Sequence, residues 1–565
     1  MYPIEARRSV YTTQWVVEKL LSRAVAELAA AGLHRPAMRR APGADGDGKR
    51  WEPGARGFAE SEGASAVDLD ALPSGLVDPI GAAISALDRE PASALRDAWI
   101  GRLREIATLR EGFGASAGDP ASRRAALVTL EARVAELMAE PAQRGEGEFY
   151  VSRGPVHEQA DRTGTVVGLP TGWADGLRAA AGPFLELALL MQAPERVTLR
   201  HWFVRHFDSS RAEPVPWREV LDAIAEAPLS LELAAPPAAR AAREAVKQVR
   251  ALMRAAIDAA LAADPEVKSV RLDPGPALAL AAPALAALGP IGRAYANPDF
   301  MIAAGAEPLF ILAEAHHLPC LTPCLLPSLV HEEALVEATR AFLAALTAPD
   351  APAFPASYDH SFISVGPDLG AGGLELSGLA KEPPARRATF AELAVYLDPD
   401  AGLLRFIVPT HAGDTLGVVP LTRTARTHQA APVFPLSCPD LGRFLAGPDW
   451  RPLEALPRLS FGDLVVHRKR YRLTPANLPA LCGKDVRAHF GPDAPRFMFA
   501  RMASEPKPIL IDWASALSTE LALWALGRGE TLELSEMLPD PDGCWLRSAS
   551  GRHTAELRTV MFRSA

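Results

Sequence analysis

Apolar residues near the start of the chain recur every three or four positions, as on one face of a helix. They are Val16, Val17, Leu20, Leu21, Val25 and Leu28. With Gly32 as a C-cap, this period predicts an amphipathic helix over Gln14–Ala31. Residues 34–73 lack such a period and are rich in Gly, Pro, Arg, Asp and Glu, which predicts a long exposed insertion.

Further helical patterns fill the first half of the chain, and short runs typical of β-strands fill the second. The predicted helices are Asp78–Leu109, Ser122–Met138, Gly172–Gln192, Pro216–Ala227 and Pro237–Ala262. The predicted strands are Phe149–Val151, Val267–Leu272, Phe300–Ala303, Leu309–Leu312, Leu403–Val408, Leu416–Val419, Gly462–Val466, Phe497–Ala500, Pro508–Asp512, Thr531–Leu534 and Ala555–Phe562. Because strands and helices do not alternate regularly, we expect an α+β fold with mixed sheets and many packed helices.

Composition narrows the class of protein further. Of 565 residues, 48% are hydrophobic and 22% are charged, which excludes wholesale disorder. Five cysteines without a framework spacing favour a reducing compartment, and charges interrupt the apolar residues of the N-terminus, which excludes a signal peptide. The longest apolar run, Ala277–Gly289, is shorter than the ~20 residues that span a bilayer. The sequence therefore predicts a cytoplasmic protein without a membrane span.

The net charge of -9 excludes a general basic coat, so any nucleic-acid contact must come from a local patch. Residues 461–503 carry eight basic and three acidic residues. The basic residues that we predict to bind tRNA are Arg468, Lys469, Arg470, Arg472, Arg496 and Arg501. Interleaved aromatics such as Tyr471 and Phe499 suit RNA, since unpaired bases stack on rings while arginines bind phosphates. A solvated basic strand edge explains the same pattern without a ligand, and the residues alone favour neither interpretation.

Several motifs that mark common enzyme sites are absent from the sequence: it contains no GxGxxG after a strand, P-loop, HExxH or CxxC pair. His316, His317, Cys320 and Cys324 lie within nine residues of one another, but a proline precedes each cysteine, so buried thiols are favoured over a metal site. His201 and His206 are five residues apart, on different helix faces, which favours a structural role over an acid–base pair. The sequence assigns no catalytic residue and no metal ligand.

A succession of short motifs marks the last 110 residues. They are Pro457–Leu459, Asp463–Val466, Arg468–Leu473, Ala494–Phe497, Lys507–Asp512, Glu536–Pro539, Cys544–Leu546 and Gly551–Leu557. In this order they resemble the end of the N-terminal, glutamylating domain of class I lanthipeptide (lantibiotic) dehydratases and of related small peptide aminoacyl-tRNA ligases. Upstream segments are similar in the same order. They are Val16–Gly32, Asp78–Ile80, Arg205–Asp222 and Phe310–His316.

The resemblance implies a domain organisation as well as a fold. It covers about residues 14–32 and 78–563. Residues 1–33 would be a helical remnant of the family's leader-binding winged-helix region, and residues 34–75 a flexible insertion. Residues 76–565 would form the glutamylation-type α+β domain, with a sub-boundary near residue 455.

The resemblance also implies an activity. Members of the family transfer glutamate, or another amino acid in the ligase branch, from its charged tRNA to a ribosomally made precursor peptide. We therefore expect an aminoacyl-tRNA-dependent peptide transferase without a bound cofactor, with glutamyl-tRNA as co-substrate and a precursor peptide as partner. The reaction belongs to lanthipeptide-type peptide modification.

The sequence departs from the family in three places. It has no counterpart of the Arg-rich segment ending in Thr-Pro-Phe-Gly, no arginines over Leu374–Ala380, which follow the glycine-rich segment Leu369–Gly373, and no elimination domain after Ala565. The resemblance therefore implies a split or truncated dehydratase subunit, whose missing N-terminal or elimination domain a second chain supplies. The alternatives are a non-catalytic partner or peptide-binding scaffold of a two-chain dehydratase, and an unrelated metal- or thiol-dependent enzyme built around His316–Cys324.

Overall fold

The computed structural model divides the chain into two compact units. The first comprises Met1–Val167, Thr322–Phe342 and Pro355–Ala388, and the second Gly168–Leu321, Leu343–Phe354 and Thr389–Ala565. The structure describes residues 7–12, 14–33, 79–143, 154–161, 168–207, 213–226, 235–292, 294–305, 307–316, 333–346, 353–357, 373–375, 387–389, 392–408, 415–420, 455–483, 485–491, 493–548, 551–559 and 561–563. The predicted insertion and the predicted strand Phe149–Val151 lie outside these ranges. The domain boundaries drawn from the sequence stay a prediction.

Helices form most of the first unit. They are α1 (Gln14–Ala30), α2 (Pro79–Asp88), α3 (Ala94–Ala115) and α4 (Pro120–Met138), and they accompany the antiparallel pair β1 (Arg7–Thr12) and β2 (Val156–Asp161). The apolar positions that predicted α1 are buried against α2, α3 and α4. The single helix predicted over Asp78–Leu109 is two helices, because Pro91 falls between them and Ser93 caps α3 by accepting a hydrogen bond from the backbone N–H of Arg96.

Further helices belong to the second unit. They are α5 (Trp173–His206), α6 (Trp217–Glu226), α7 (Pro237–Ala263) and α8 (Pro274–Ala287). Helix α5 extends past the predicted Gln192 and includes His201 and His206, the latter stacked on the ring of Trp202 with the centroids 4.9 Å apart. The remaining helices in the described ranges are α9 (Glu333–Leu346), α10 (Leu478–Leu481) and α11 (Ala516–Gly527), and α10 and α11 also lie in the second unit.

The remaining strands follow in chain order. They are β3 (Val215–Pro216), β4 (Ser269–Leu272), β5 (Ala294–Ala303), β6 (Leu309–His316), β7 (Ala353–Ser357), β8 (Gly373–Glu375), β9 (Arg387–Thr389), β10 (Ala394–Asp398), β11 (Leu403–Ile407), β12 (Thr415–Pro420), β13 (Ala455–Leu456), β14 (Arg458–Phe461), β15 (Leu464–His467), β16 (Arg470–Leu473), β17 (Phe497–Met502), β18 (Glu505–Asp512), β19 (Leu532–Glu536), β20 (Leu546–Ser548), β21 (Gly551–His553), β22 (Glu556–Arg558) and β23 (Met561–Arg563). The predicted strand Ala555–Phe562 is thus two short strands, and both pair with β5.

A mixed sheet lies at the centre of the second unit, in the order β22-β5-β6-β15-β14-β4. The pairs β6–β15 and β14–β4 are parallel, and the other pairs along this order are antiparallel. Helices α5, α7 and α8 share one hydrophobic core with this sheet. Gly176 lets α5 approach closely, since an added Cβ there would lie 3.1 Å from the ring of Phe310 on β6.

The second unit also contains an antiparallel sheet in the order β13-β16-β19-β17-β18. Helix α11 covers one face of this sheet, and its buried residues Ala522, Ala525 and Leu526 join a core with Met498 and Leu534. Mixed sheets and many helices confirm the α+β class expected from the sequence. No helix in the described ranges is long and apolar enough to cross a membrane.

An ion pair joins the central mixed sheet and the antiparallel sheet of the second unit. Arg458, at the start of β14, forms two 2.7 Å hydrogen bonds to Glu536, at the end of β19. The Glu536 side chain is 6% exposed and that of Arg458 is 31% exposed. Glu536 accepts a third hydrogen bond, of 2.8 Å, from the backbone N–H of Lys469, which holds the residue just before β16.

We expect Glu536→Ala to lower the free energy of unfolding by about 2–4 kcal/mol, because it leaves the Arg458 guanidinium and the Lys469 N–H without their shared acceptor. Urea denaturation followed by circular dichroism measures this change. Glu244→Ala is the control, since its exposed pair with Lys247 should contribute less than about 1 kcal/mol. Equal effects of the two variants would contradict the role given to the buried pair.

Candidate nucleic-acid interface

The two faces of the five-stranded sheet differ in chemistry because side chains alternate along each strand. On β16, Arg470 and Arg472 are exposed, whereas Tyr471 and Leu473 are buried under α11 and its neighbours. On β19, Leu532 and Leu534 are buried in the same core. The face opposite α11 is therefore the one that carries the arginines.

Strand register brings arginines from two strands together on this face. Arg472 pairs with Glu533 on β19, and Glu533 pairs in turn with Arg501 on β17. In the next row, Arg470 pairs with Ser535, which pairs with Phe499. Because neighbouring strands lie about 5 Å apart, Arg472 and Arg501 flank Glu533 at a separation of about 10 Å. We call Arg470, Arg472, Arg501 and Phe499 the arginine face.

The arginine face has an excess of positive charge. Arg472 is 3.6 Å from Glu533, and both side chains are largely exposed. Among the described residues, neither Arg470 nor Arg501 has a carboxylate within the 4.0 Å of an ion pair. Partial burial, and then the like charge of Arg501, lower the pKa of Arg470. Two guanidinium groups on this face are therefore open to an anionic partner.

An apolar surface borders these charges. Leu510 on β18 pairs with Phe499 and is 47% exposed. Together they extend the row of Arg470 and Ser535 to the edge of the sheet. A face with guanidinium groups beside an accessible ring can bind a phosphate and stack a base at the same time.

The other three predicted tRNA-binding residues lie elsewhere. Arg468 donates two hydrogen bonds, of 3.0 and 3.3 Å, to the carbonyl of Leu538, and its Nη2 is 3.3 Å from the sulfur of Met301. Burial lowers the pKa of Arg468. These contacts hold its guanidinium within the protein, in a place where it supports the chain after β19.

Arg496 and Lys469 are also separate from the arginine face. Arg496 forms two 2.8 Å hydrogen bonds to Asp512, which hold the pKa of that carboxyl at about 2, and it stacks over Phe497 at 4.7 Å. Lys469 lies on the Tyr471 side of β16, with Nζ 5.1 Å from the ring centroid. The structure thus brings three of the six residues together, and tRNA binding by all six stays a prediction.

Sequence reasoning did not find everything on this side of the sheet. It identified Phe499 by its position among basic residues, but it missed Leu510, whose contribution depends on the β17–β18 register. It also missed the pairing of Arg458 with Glu536, which are 78 positions apart.

No group of three or more His, Cys, Asp or Glu side chains in the described part of the chain is arranged to hold a metal ion. The candidate cluster from His316 to Cys324 lies outside that part, except for the backbone of His316 at the end of β6. The hypothesis of a metal- or thiol-dependent enzyme therefore stays untested.

Solved structures of two proteins have a similar fold. The glutamylation domain of TbtB from thiomuracin biosynthesis, bound to 5'-phosphodesmethylglutamycin, is 18% identical, with a TM-score of 0.60 over 99% of this chain and 74% of that one. The same domain in a second structure gives a TM-score of 0.58 at 18% identity, over 100% of this chain and 73% of that one. The tRNA-dependent lantibiotic dehydratase MibB from Microbispora sp. 107891 gives 0.55 at 16% identity, over 84% of this chain and 47% of that one.

These similarities confirm the resemblance in fold that the C-terminal motifs indicated. No protein-family model matches the sequence, and the search of curated proteins gives no match. At 16–18% identity the likeness concerns the fold.

His467, the last residue of β15, should make the free energy of unfolding depend on pH. Burial, and then nearby Arg470, lower the pKa of His467 from 6.5 to about 4. As the pH falls from 6.5 towards 4, the unfolded chain binds a proton that the folded chain does not. We expect the free energy of unfolding to fall over this range by up to about 3 kcal/mol.

Denaturation curves at several pH values test this expectation. His467→Gln should lose this part of the pH dependence, whereas His206→Gln, at an exposed position on α5, should keep it. An unchanged slope in His467→Gln would show that other groups cause the effect.

Proposed function

We propose that the protein transfers glutamate from glutamyl-tRNA to a ribosomally synthesised precursor peptide in lanthipeptide-type peptide modification. The observation that carries this proposal is the similarity of fold to the TbtB glutamylation domain over 99% of the chain. TbtB was solved bound to 5'-phosphodesmethylglutamycin, and MibB is a tRNA-dependent dehydratase. Both support aminoacyl-tRNA as the co-substrate.

The proposed reaction is a transesterification. The hydroxyl oxygen of a peptide side chain attacks the ester carbonyl of glutamyl-tRNA, a new ester bond forms to the peptide, and the bond to the terminal ribose breaks. The hydroxyl proton passes to the released ribose oxygen, so no oxidant, reductant or water is consumed. Because the substrates supply both nucleophile and leaving group, the protein acts mainly by positioning them and by stabilising the developing negative charge.

The arginine face supports RNA as the partner. Its three guanidinium groups can neutralise backbone phosphates, and Phe499 provides a ring for a base. The formal charge of the whole chain is negative, so attraction of RNA to this face depends on the local arrangement and weakens as salt rises.

We expect the triple variant Arg470→Ala, Arg472→Ala, Arg501→Ala to bind tRNA more weakly than the unmodified protein. Each lost phosphate contact should reduce the slope of log Kd against log salt concentration by about 0.7–0.9. Filter binding between low and moderate salt measures both effects. The matched control is Arg178→Ala, Arg218→Ala, Arg243→Ala, which removes three exposed arginines from helices of the same unit. Equal tRNA affinity in both triple variants would contradict the assignment of this face.

Transfer itself is tested with labelled glutamyl-tRNA and a candidate precursor peptide. We expect the peptide to gain the mass of one glutamyl residue, with a matching release of uncharged tRNA. Glutamate charged on the tRNA is the required donor, so free glutamate with uncharged tRNA serves as the control. The absence of transfer, both by this chain alone and with a second dehydratase chain added, would contradict the proposal.

A non-catalytic, peptide-binding partner is the second candidate. The contacts of Arg468 with Leu538 and of Arg496 with Asp512 favour it, because they account for two of the basic residues without RNA. This candidate predicts peptide binding without measurable tRNA affinity. Peptide pull-down combined with the filter-binding assay separates the two functions.

A further inference from the structure

A groove lies beside β16 and is lined by residues from both faces of this strand, among them Tyr471 and Arg472. Its volume is 520 Å³, within the range of sites for small ligands. Its polar and aromatic lining comprises Glu266, Lys469, Tyr471, Arg472, Asn477, His489 and Phe490. We call this the Tyr471 groove, and all of its lining residues belong to the second unit.

Aromatic rings form one wall of the Tyr471 groove. The ring of Phe490 lies 5.0 Å from that of Tyr471 and 5.7 Å from that of Trp513. His489 meets Phe490 edge to face at 5.5 Å and is exposed. Because Tyr471 and Trp513 belong to the hydrophobic core, they hold Phe490 in place as a rigid surface for a planar group.

A cation without a carboxylate partner stands beside this wall. Lys469 is half-buried, and its Nζ lies over the Tyr471 ring at 5.1 Å. Among the described residues no carboxylate lies within 4.0 Å of Nζ, and burial is the main cause that lowers the pKa of Lys469. An incoming anion would restore the favourable contact that this ammonium lost on leaving water.

Further polar groups in the groove complement a sugar and a base. The side-chain oxygen of Asn477 accepts hydrogen bonds from the Thr474 N–H at 2.7 Å and from the Thr474 hydroxyl at 3.0 Å. These bonds fix the orientation of the Asn477 amide, whose Nδ2 has no partner among the described residues. The exposed carboxylate of Glu266 can accept hydrogen bonds from ribose hydroxyls.

We propose that the Tyr471 groove binds one nucleoside monophosphate unit, with its phosphate on Lys469 and Arg472 and its base against His489 and Phe490. The unit is either a free nucleotide or an unpaired nucleotide of RNA. Arg472 belongs to both the groove and the arginine face, so a strand bound on that face reaches the groove without a gap. In its RNA form the inference rests on the proposed function.

Calorimetric titration of the full chain with AMP, CMP, GMP and UMP, and with inorganic phosphate as a control, tests the groove directly. We expect at least one nucleotide to bind about tenfold or more tightly than phosphate, because base stacking adds to the phosphate contact. Lys469→Met should weaken nucleotide binding about tenfold, and His489→Ala about fivefold. Lys247→Met, at an exposed position on α7, is the matched control and should change nothing.

Short single-stranded RNA distinguishes the two sources of the nucleotide. Tighter binding of the RNA than of any mononucleotide, with the same loss in Lys469→Met, would assign the groove to RNA. Equal binding of both would assign it to a free nucleotide. No nucleotide or RNA binding by the unmodified protein, or binding that Lys469→Met leaves unchanged while its thermal melting is normal, overturns the inference.

The outcome does not depend on that of the proposed function. Arg470→Ala with Arg501→Ala lies outside the groove lining, so it should weaken tRNA binding and leave mononucleotide binding unchanged. Loss of mononucleotide binding in this double variant would place the nucleotide on the arginine face and overturn the inference. Mononucleotide binding without glutamyl transfer would keep the groove and refute the proposed function.

Discussion

The paired hydrogen bonds between Arg458 and Glu536 determine how the C-terminal part of the second unit is arranged. They tie the first residue of β14 in the central sheet to the last residue of β19 in the antiparallel sheet. Glu536 also accepts the N–H of Lys469, one residue before β16 begins. The same carboxylate therefore sets the starting point of β16, and a slip of one residue would exchange the two faces of that strand.

Two surfaces with different properties follow from this register. Arg470 and Arg472 project from the open face, whereas Lys469 and Tyr471 line the groove, to which Arg472 also contributes. Four consecutive residues thus serve two surfaces, since alternation along a strand separates neighbours in sequence. Basic residues are dense over residues 468–472 because this segment contributes to both surfaces. A solvated strand edge would account for only one of the two surfaces.

Local sequence patterns predicted many helices and strands. The arrangement of the candidate site depends instead on contacts between residues that are far apart in the chain. The period of apolar residues predicted α1, and a short run of residues typical of β-strands predicted β17, because both patterns need only neighbouring residues. The resemblance in C-terminal motifs predicted a fold that solved structures confirm. Charge alone could not separate Arg468 from Arg470, since Arg468 meets a carbonyl 70 positions away and Arg470 does not. Pro91 and Ser93 mark the break between α2 and α3. The helical period of apolar residues continues on both sides of them, so the pattern predicted a single helix.

The edge strand β18 affects whether copies of the protein can associate by extending the antiparallel sheet. Strand β18 lies at the edge of that sheet, and two of its residues, Pro506 and Pro508, have no N–H to offer an incoming strand. Lys507 between them adds a charge that an added strand would have to desolvate. This edge therefore resists extension into a continuous intermolecular sheet, even though Leu510 exposes an apolar side chain beside it.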